Sequence, residues 1–296
     1  MFVAETIEAI RQAVAQARKA GKKIGLVPTM GALHRGHTSL IDRAGQDCDF
    51  VMVSIFVNPT QFGPNEDFDK YPRPMDKDLA ICEQHDAAAV FAPTVEQMYG
   101  SGENLTWVTV EKLTEPLCGR NRPGHFRGVT TVCTKLFNIV GPDAAYFGQK
   151  DAQQSIVIKR MVADLNMPLK IVVCPTVREP DGLAISSRNQ YLDEKQRADA
   201  VYIYKALQKA EQLIKSGLCD SEQIIAQMRS VLDTPGSLQA EYISIADAED
   251  LTELKDLSKA LPAAENQPQP RRVLIAAAVR AGATRLIDNI IVDIGG

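Results

Sequence analysis

Cysteine, long apolar runs and surplus positive charge are all scarce in this sequence, and each scarcity removes a class of protein. Six cysteines in 296 residues fall far below the roughly 8–10% of a disulfide scaffold. No C-x-x-C pair occurs among Cys48, Cys82, Cys118, Cys133, Cys174 and Cys219, which argues against structural zinc and thioredoxin-like redox chemistry. The longest apolar stretch, Phe50–Val57, has eight residues and includes Ser54, whereas a bilayer-spanning helix needs about 20. Glu5 and Glu8 stand where a secretory signal would be basic and then apolar. A cytoplasmic protein with reduced thiols, outside any membrane, is expected. With 33 basic and 37 acidic residues the net charge is −4, so nothing draws the chain as a whole to nucleic acid or anionic lipid.

What is present describes a folded chain. Hydrophobic content of 45% with 24% charged residues is globular rather than disordered. At this length folding buries about 75% of the unfolded surface, enough for a core without staples.

Apolar spacing at Ile7, Ile10, Val14 and Ala17 predicts a helix that stops at Gly21. Ile24–Val27 then reads as a strand ended by Pro28, followed by a turn over Thr29–Gly36, a helix over Thr38–Ala44 and a fully apolar strand over Phe50–Val57. Strand, turn, helix and uninterrupted apolar strand are the marks of a βαβ unit in a buried parallel sheet. The alternation continues with helices at Met75–His85, Val129–Ile139 and Ala152–Leu165 and strands at Ala88–Ala92, Ala144–Phe147 and Leu169–Cys174. We expect a Rossmann-like doubly wound α/β domain over residues 1–175. Past Pro175 two helices, Glu194–Gly217 and Ser221–Leu232, precede strands at Glu241–Ala246, Val273–Val279 and Ile290–Ile294, which predicts a smaller α+β domain over 176–296. Asn58–Pro74 is a 17-residue stretch with four prolines, long enough to suggest a functional loop. Pro262–Arg272 reads as an exposed loop.

Five segments carry chemistry. Val27-Pro-Thr-Met-Gly-Ala-Leu-His-Arg-Gly-His37 lies between a strand and a helix, at the edge where open α/β sheets bind ligands. Its histidines are three apart with no intervening glutamate, unlike the four-residue spacing of a zinc protease. Glycine N–H groups, a helix N-terminus and two imidazoles suit phosphate. The H-x-G-H pattern occurs in nucleotidyl-transferring α/β families that act at the α-phosphate of ATP. Arg178-Glu-Pro-Asp-Gly-Leu-Ala-Ile-Ser-Ser-Arg-Asn189 offers two hydroxyls and a permanent cation to a polyphosphate, or is an ordinary polar turn. Tyr146-Phe-Gly-Gln-Lys-Asp-Ala-Gln-Gln154 brings Lys150 for a phosphate oxygen and two amides for hydroxyls; a solvated Lys150–Asp151 pair is the alternative. Asn58-Pro-Thr-Gln-Phe-Gly63 places amides at a strand end. Arg122-Pro-Gly-His-Phe-Arg-Gly128 adds two arginines and a histidine with no acid nearby in sequence, which also fits a solvated basic turn.

In this order and spacing the five segments resemble the pantothenate synthetase (pantoate–β-alanine ligase) family, within the wider H-x-G-H nucleotidyltransferase-like group. The resemblance runs from the N-terminal helix through Leu192 and, more weakly, to Arg285-Leu-Ile-Asp-Asn289. It implies a homodimeric Mg-ATP-dependent ligase that forms pantoyl adenylate and pyrophosphate from ATP and pantoate, then joins β-alanine and releases AMP. By motif position, Met30, Gly31, Ala32, Leu33, His34, Arg35, Gly36 and His37 would hold ATP, with His37 donating a proton. Gly148, Gln149, Lys150, Asp151, Val177, Ile185, Ser186, Ser187 and Arg188 would complete the nucleotide site, and Gln61, Gln154 and Asn58 would serve pantoate and β-alanine. His34, His37, Lys150, Ser186, Ser187 and Arg188 are the expected catalytic donors. Mg2+ would travel with the phosphates, with no residue assigned as a metal ligand. The Ser-Ser-Arg loop of the C-terminal domain would cover the site, because an acyl adenylate must be kept from water. Two positions depart from the family's usual pattern: Thr60 stands for Met, near the wall expected for pantoate's methyls, and Gln149 stands for Glu. On the motif residues alone two other functions stay open, a nucleotidylyltransferase acting on a phosphate ester and a non-catalytic nucleotide-binding module. The basic residues Arg122, Arg127, Lys150, Arg178 and Arg188 all fall in or beside these segments, so an acidic protein is expected to hold a compact triphosphate.

Overall fold

The computed structural model describes residues 1–64, 66–260 and 271–294. By mutual contact the chain forms two units, residues 1–149 with 157–177, and residues 150–156 with 178–296.

The first unit is a six-stranded sheet in the order β1-β4-β3-β2-β5-β6, every pair parallel. Its strands are β1 (Phe2–Ala4), β2 (Ile24–Thr29), β3 (Phe50–Ile55), β4 (Ala89–Phe91), β5 (Ala144–Gly148) and β6 (Lys170–Cys174). Between them run α1 (Ile7–Lys19), α2 (Arg35–Asp47), α3 (Met75–Gln84), α4 (Val95–Tyr99), α5 (Cys118–Asn121), α6 (His125–Val140) and α7 (Ala152–Asp164). Because β3 and β5 flank β2 on opposite sides, the strand order reverses at β2. The crevice at the carboxyl end of such a switch strand is where open α/β sheets take ligands. Parallel strands covered by helices are apolar on both faces, and accordingly Ile24, Leu26, Val27, Met52 and Val53 are fully buried. The helix α1 begins where the Thr6 side chain accepts from Ala9 N–H, and it buries Ile10, Val14 and Ala17.

The second unit holds α8 (Glu194–Asp199), α9 (Val201–Lys215) and α10 (Ser221–Asp233) and an antiparallel sheet, β7 (Leu238–Asp247), β8 (Arg271–Ala281) and β9 (Thr284–Ile294), in the order β7-β8-β9. Its core joins Ile203, Leu207, Ile224 and Met228 of the helices to Ile275 and Val279 of β8. Among the described residues, no helix is long and apolar enough to cross a membrane.

Several boundaries differ from the sequence expectation for identifiable reasons. β2 continues through Pro28 to Thr29, since its pairing with β5 ends at Leu26 and the missing proline N–H falls beyond that ladder. The helix expected from Thr38 starts at Arg35, because its N-cap is the imidazole of His34 rather than a hydroxyl or carboxylate. α6 starts at His125 rather than Val129, so half of the expected basic turn is helical. The helix expected over Glu194–Gly217 is two helices divided at Ala200, which keeps helical dihedrals. β9 begins at Thr284, six residues early, and buries Asp288 and Asn289, whose polarity masks the strand pattern. The strand β1 and the short helices α4 and α5 were too brief to register as patterns. Of the loop expected over Pro262–Arg272, residues 262–270 lie outside the described residues, and Arg271 and Arg272 open β8.

Candidate active site

In the first unit the H-x-G-H segment is a helix cap built from its own histidines. The His34 ring accepts the Gly36 N–H on Nδ1 (3.1 Å), and the His37 ring accepts the His34 N–H on Nδ1 (3.3 Å). The rings stack with centroids 4.0 Å apart. A neutral imidazole that accepts on Nδ1 carries its proton on Nε2, so the caps fix both tautomers as Nε2–H donors. Gly36 is required by the same geometry: a Cβ there would stand 2.9 Å from His34 Cε1.

The loop leading into this cap satisfies its backbone internally. Gly31 N–H donates to Thr29 Oγ1 (3.1 Å), while Ala32 and Leu33 N–H donate to the two carboxylate oxygens of Asp78 (2.8 and 2.7 Å). Burial pushes the Asp78 carboxyl above its ordinary value, against the pull of these two N–H groups. The loop amides are thus already bonded, that of Gly31 to Thr29, those of Ala32 and Leu33 to Asp78 of α3, and that of Gly36 to His34.

After β3 the chain turns through a short 3-10 segment, Pro59–Gln61. Asn58, 1% exposed, donates from Nδ2 to Gln61 Oε1 (3.1 Å) and to the Gly128 carbonyl (3.2 Å). Its Oδ1 accepts from the Tyr99 hydroxyl (2.7 Å) and from Thr60 Oγ1 (2.9 Å). A backbone carbonyl only accepts, so Asn58 is held one way round, and Gln61 must turn its nitrogen outward, where it meets Met30 Sδ at 3.0 Å. Thr60, at one of the two unusual positions, therefore supports Asn58. Gly128 lets α6 approach closely, since a Cβ there would lie 2.4 Å from the Thr60 carbonyl oxygen.

The Arg122–Gly128 segment clamps the same turn. Arg122 pairs bidentately with Glu66 (2.6 and 2.5 Å) and donates to His125 Nε2 (3.1 Å). Arginine only donates, so His125 carries its proton on Nδ1 and gives it to the Gln61 carbonyl (2.9 Å). Burial opposes ionisation of Glu66, yet Arg122 outweighs it and holds that carboxyl below its ordinary value. Among the described residues Arg127 makes no ion pair; its guanidinium lies 4.4 Å from the centre of the Trp107 ring. The absence of a nearby acid in sequence was thus misleading, because Glu66 arrives from 56 residues away.

Gln149–Asp151 is a 3-10 turn, and within the second unit Asn289 Nδ2 donates to the Lys150 carbonyl (2.9 Å). The Lys150 ammonium makes no ion pair among the described residues. Gln153 is buried and Gln154 half-buried. Arg178 pairs with Asp288 through both nitrogens (2.5 and 2.9 Å), also donates to the Gly182 carbonyl (3.1 Å), and lies over the Tyr204 ring. This cluster anchors the stretch leading to Ile185, Ser186, Ser187 and Arg188, where Ser186 Oγ caps a 3-10 turn by accepting from Arg188 N–H (3.3 Å). Arg178 is therefore an anchor of this stretch. Asp288 and Asn289, both 4% exposed, tie the Lys150 turn and the Arg178 anchor to β9.

Sequence reasoning missed Asp78, Glu66, Tyr99, Asp288 and Asn289. Only the last two had a signal, the faint Arg285–Asn289 match. Among the described residues no group of three or more His, Cys, Asp or Glu could hold a metal ion.

Comparison with known proteins agrees along the whole chain. Residues 2–291 match the family described as Pantoate-beta-alanine ligase. The pantothenate synthetase of Moorella thermoacetica is 51% identical over 294 residues, covering 99% of each chain. That of Acetivibrio thermocellus is 50% identical over 294 residues, covering 99% of this chain and all of the relative. The crystal structure of pantothenate synthetase from Thermus thermophilus aligns with a TM-score of 0.87 at 40% identity, over 98% of this chain and 99% of that one. A pantoate-beta-alanine ligase from Francisella tularensis, solved in complex with beta-gamma ATP and beta-alanine, aligns at 0.76 and 36% identity over 98% and 97%. The chain belongs to the pantoate–β-alanine ligase family.

Proposed function

We propose that this chain carries out its family's ATP-dependent condensation of pantoate with β-alanine in two half-reactions. A pantoate carboxylate oxygen attacks the α-phosphorus of ATP, the bond to the bridging oxygen breaks, and pyrophosphate leaves. The neutral amine of β-alanine then attacks the acyl carbon, the C–O bond to AMP breaks, and the amine gives up a proton as the amide forms. The observation that carries this reading is the capped histidine pair, two Nε2–H donors at the N-terminus of α2 beyond the switch strand β2.

In this reading Met30–His37 receive ATP, with His37 giving a proton to the departing phosphate and His34 supporting it. Gly148, Gln149, Lys150, Asp151, Val177 and Ile185 serve the nucleotide, and Ser186, Ser187 and Arg188 of the C-terminal domain add donors during turnover. The donor nitrogen of Gln61, oriented by Asn58, supports binding of pantoate's oxygens, and Gln154 is given the same task. Magnesium carried on the phosphates would neutralise charge on the pyrophosphate. A cytoplasmic homodimer completes the proposal; a monomer mass by sedimentation would remove that part.

Product analysis tests the reading. AMP and pyrophosphate should form in equal amounts, and AMP only with pantoate and β-alanine both present. ADP, or adenylyl transfer to a phosphate ester without AMP, would overturn it.

A further inference from the structure

Asp78 is 1% exposed, and among the described residues no cation pairs with it. A buried carboxylate is costly unless its charge is matched. Here the match comes from backbone. Leu33 N–H donates to Oδ1 at 2.7 Å and Ala32 N–H to Oδ2 at 2.8 Å. These two N–H groups converge because Gly31 and Ala32 both take positive φ, +80° and +51°. Backbone amides of a turn that converge on one point make a concave nest that suits an anion, and alanine seldom holds a positive φ unassisted. The fit is close from the loop side as well: a Cβ on Gly31 would stand 2.8 Å from Asp78 Oδ2.

We propose that Asp78 is a positioning residue of the adenylation site, a built-in anion that fills the amide nest of the Met30–His34 loop and so fixes His34 and His37. The route of action is short. Leu33 N–H is held by Asp78, and the next residue, His34, both caps Gly36 with its ring and gives its N–H to His37 Nδ1. Displacing the loop displaces the backbone that sets both tautomers. The same contact excludes a ligand phosphate from the Ala32 and Leu33 amides, leaving ATP to the imidazoles and the helix end. Burial raises the Asp78 carboxyl above its ordinary value, so the fold keeps this group at a cost to its own stability near neutral pH.

This inference rests on the reading that the His34–His37 cap acts on ATP. The experiment compares Asp78→Asn, Gly31→Ala, their combination and His37→Ala in the full-length protein, reading pyrophosphate-release kcat, KM for β-alanine and thermal melting. Asp78→Asn keeps one acceptor and sets an NH2 against the other loop N–H. It should lower kcat about 100-fold, the scale of a roughly 1 Å misplacement of catalytic groups. KM for β-alanine should stay within about twofold, and melting should shift by only a few degrees. Gly31→Ala should give the same split, and the combination should fall short of the product of the two losses, since both act on one contact. A folded Asp78→Asn that keeps kcat within about threefold of wild type while His37→Ala loses it would overturn the role of Asp78 and leave the function reading standing. Parallel loss in kcat, KM and melting temperature would also overturn it, as general structural damage. Unchanged release in His37→Ala would remove the capped histidines from the chemistry, and this inference with them.

Discussion

The two units hold their candidate residues by different means. In the first, His34, His37, Asn58 and Gln61 follow β2 and β3; the bonds within the His34–His37 cap and from Asn58 to Gln61 reach only two or three residues along the chain, while Asp78, Tyr99 and Gly128 arrive from 41 to 70 residues away. In the second, Lys150 and the Ser186–Arg188 turn depend on Asp288 and Asn289, more than 100 residues away in sequence. The difference teaches that a side-chain arrangement can be set largely by a cap within one segment, as at His34–His37, or by a buried ion pair distant in sequence, as at Arg178–Asp288.

The comparison can be broken most forcefully at its donors. His37→Ala and Lys150→Ala should each lower pyrophosphate release by about two to three orders of magnitude, the scale for one lost transition-state donor, with melting unchanged. A normal rate in either variant would remove that residue from the chemistry. Next, Asp288→Asn should destabilise the protein by about 3 kcal/mol in denaturant titration, because it leaves Arg178 buried without its charge partner. Replacing both, Arg178→Met with Asp288→Leu, should cost less than that single change, and the reverse order would contradict the anchor.

A smaller effect probes the first unit's clamp. Glu66 has a depressed carboxyl value, so its stabilising contribution is fully present above the ordinary glutamate value of about 4.3. It is lost as pH falls through the lower folded value. Wild type should exceed Glu66→Gln by about 1 kcal/mol at neutral pH, and the gap should close below about pH 4; a gap that widens on acidification would refute the pairing. Smallest of all, Cys82 and Cys133, whose thiols burial pushes up to about 12, should resist alkylation in the native protein, and their serine variants should keep full activity. Fast labelling of either would show that the core around them opens.

Legibility followed distance along the chain in both units. The sheet domain was readable because parallel strands are short, apolar and separated by amphipathic helices, and the H-x-G-H segment sits where such a sheet binds ligands. What could not be read were partners distant in sequence. Glu66 looked like one acid in a proline-rich loop, and Asp78 like an ordinary acidic residue in the first turn of α3. Asp288 and Asn289 interrupted an apolar run and hid the start of β9. The His34 cap escaped because an imidazole N-cap has no place among the usual capping residues. The basic residues counted toward a triphosphate site proved unequal: Arg122, Arg127 and Arg178 are held by Glu66, Trp107 and Asp288, while Lys150 makes no such ion pair among the described residues.

The central claim is that the pantoate carboxylate is activated by bonding to the α-phosphate of ATP. Turnover of pantoate labelled with 18O in both carboxylate oxygens tests it directly. One label should appear in the phosphate of AMP and the other in the amide carbonyl of the product; label in inorganic phosphate or pyrophosphate, or none in AMP, would contradict it.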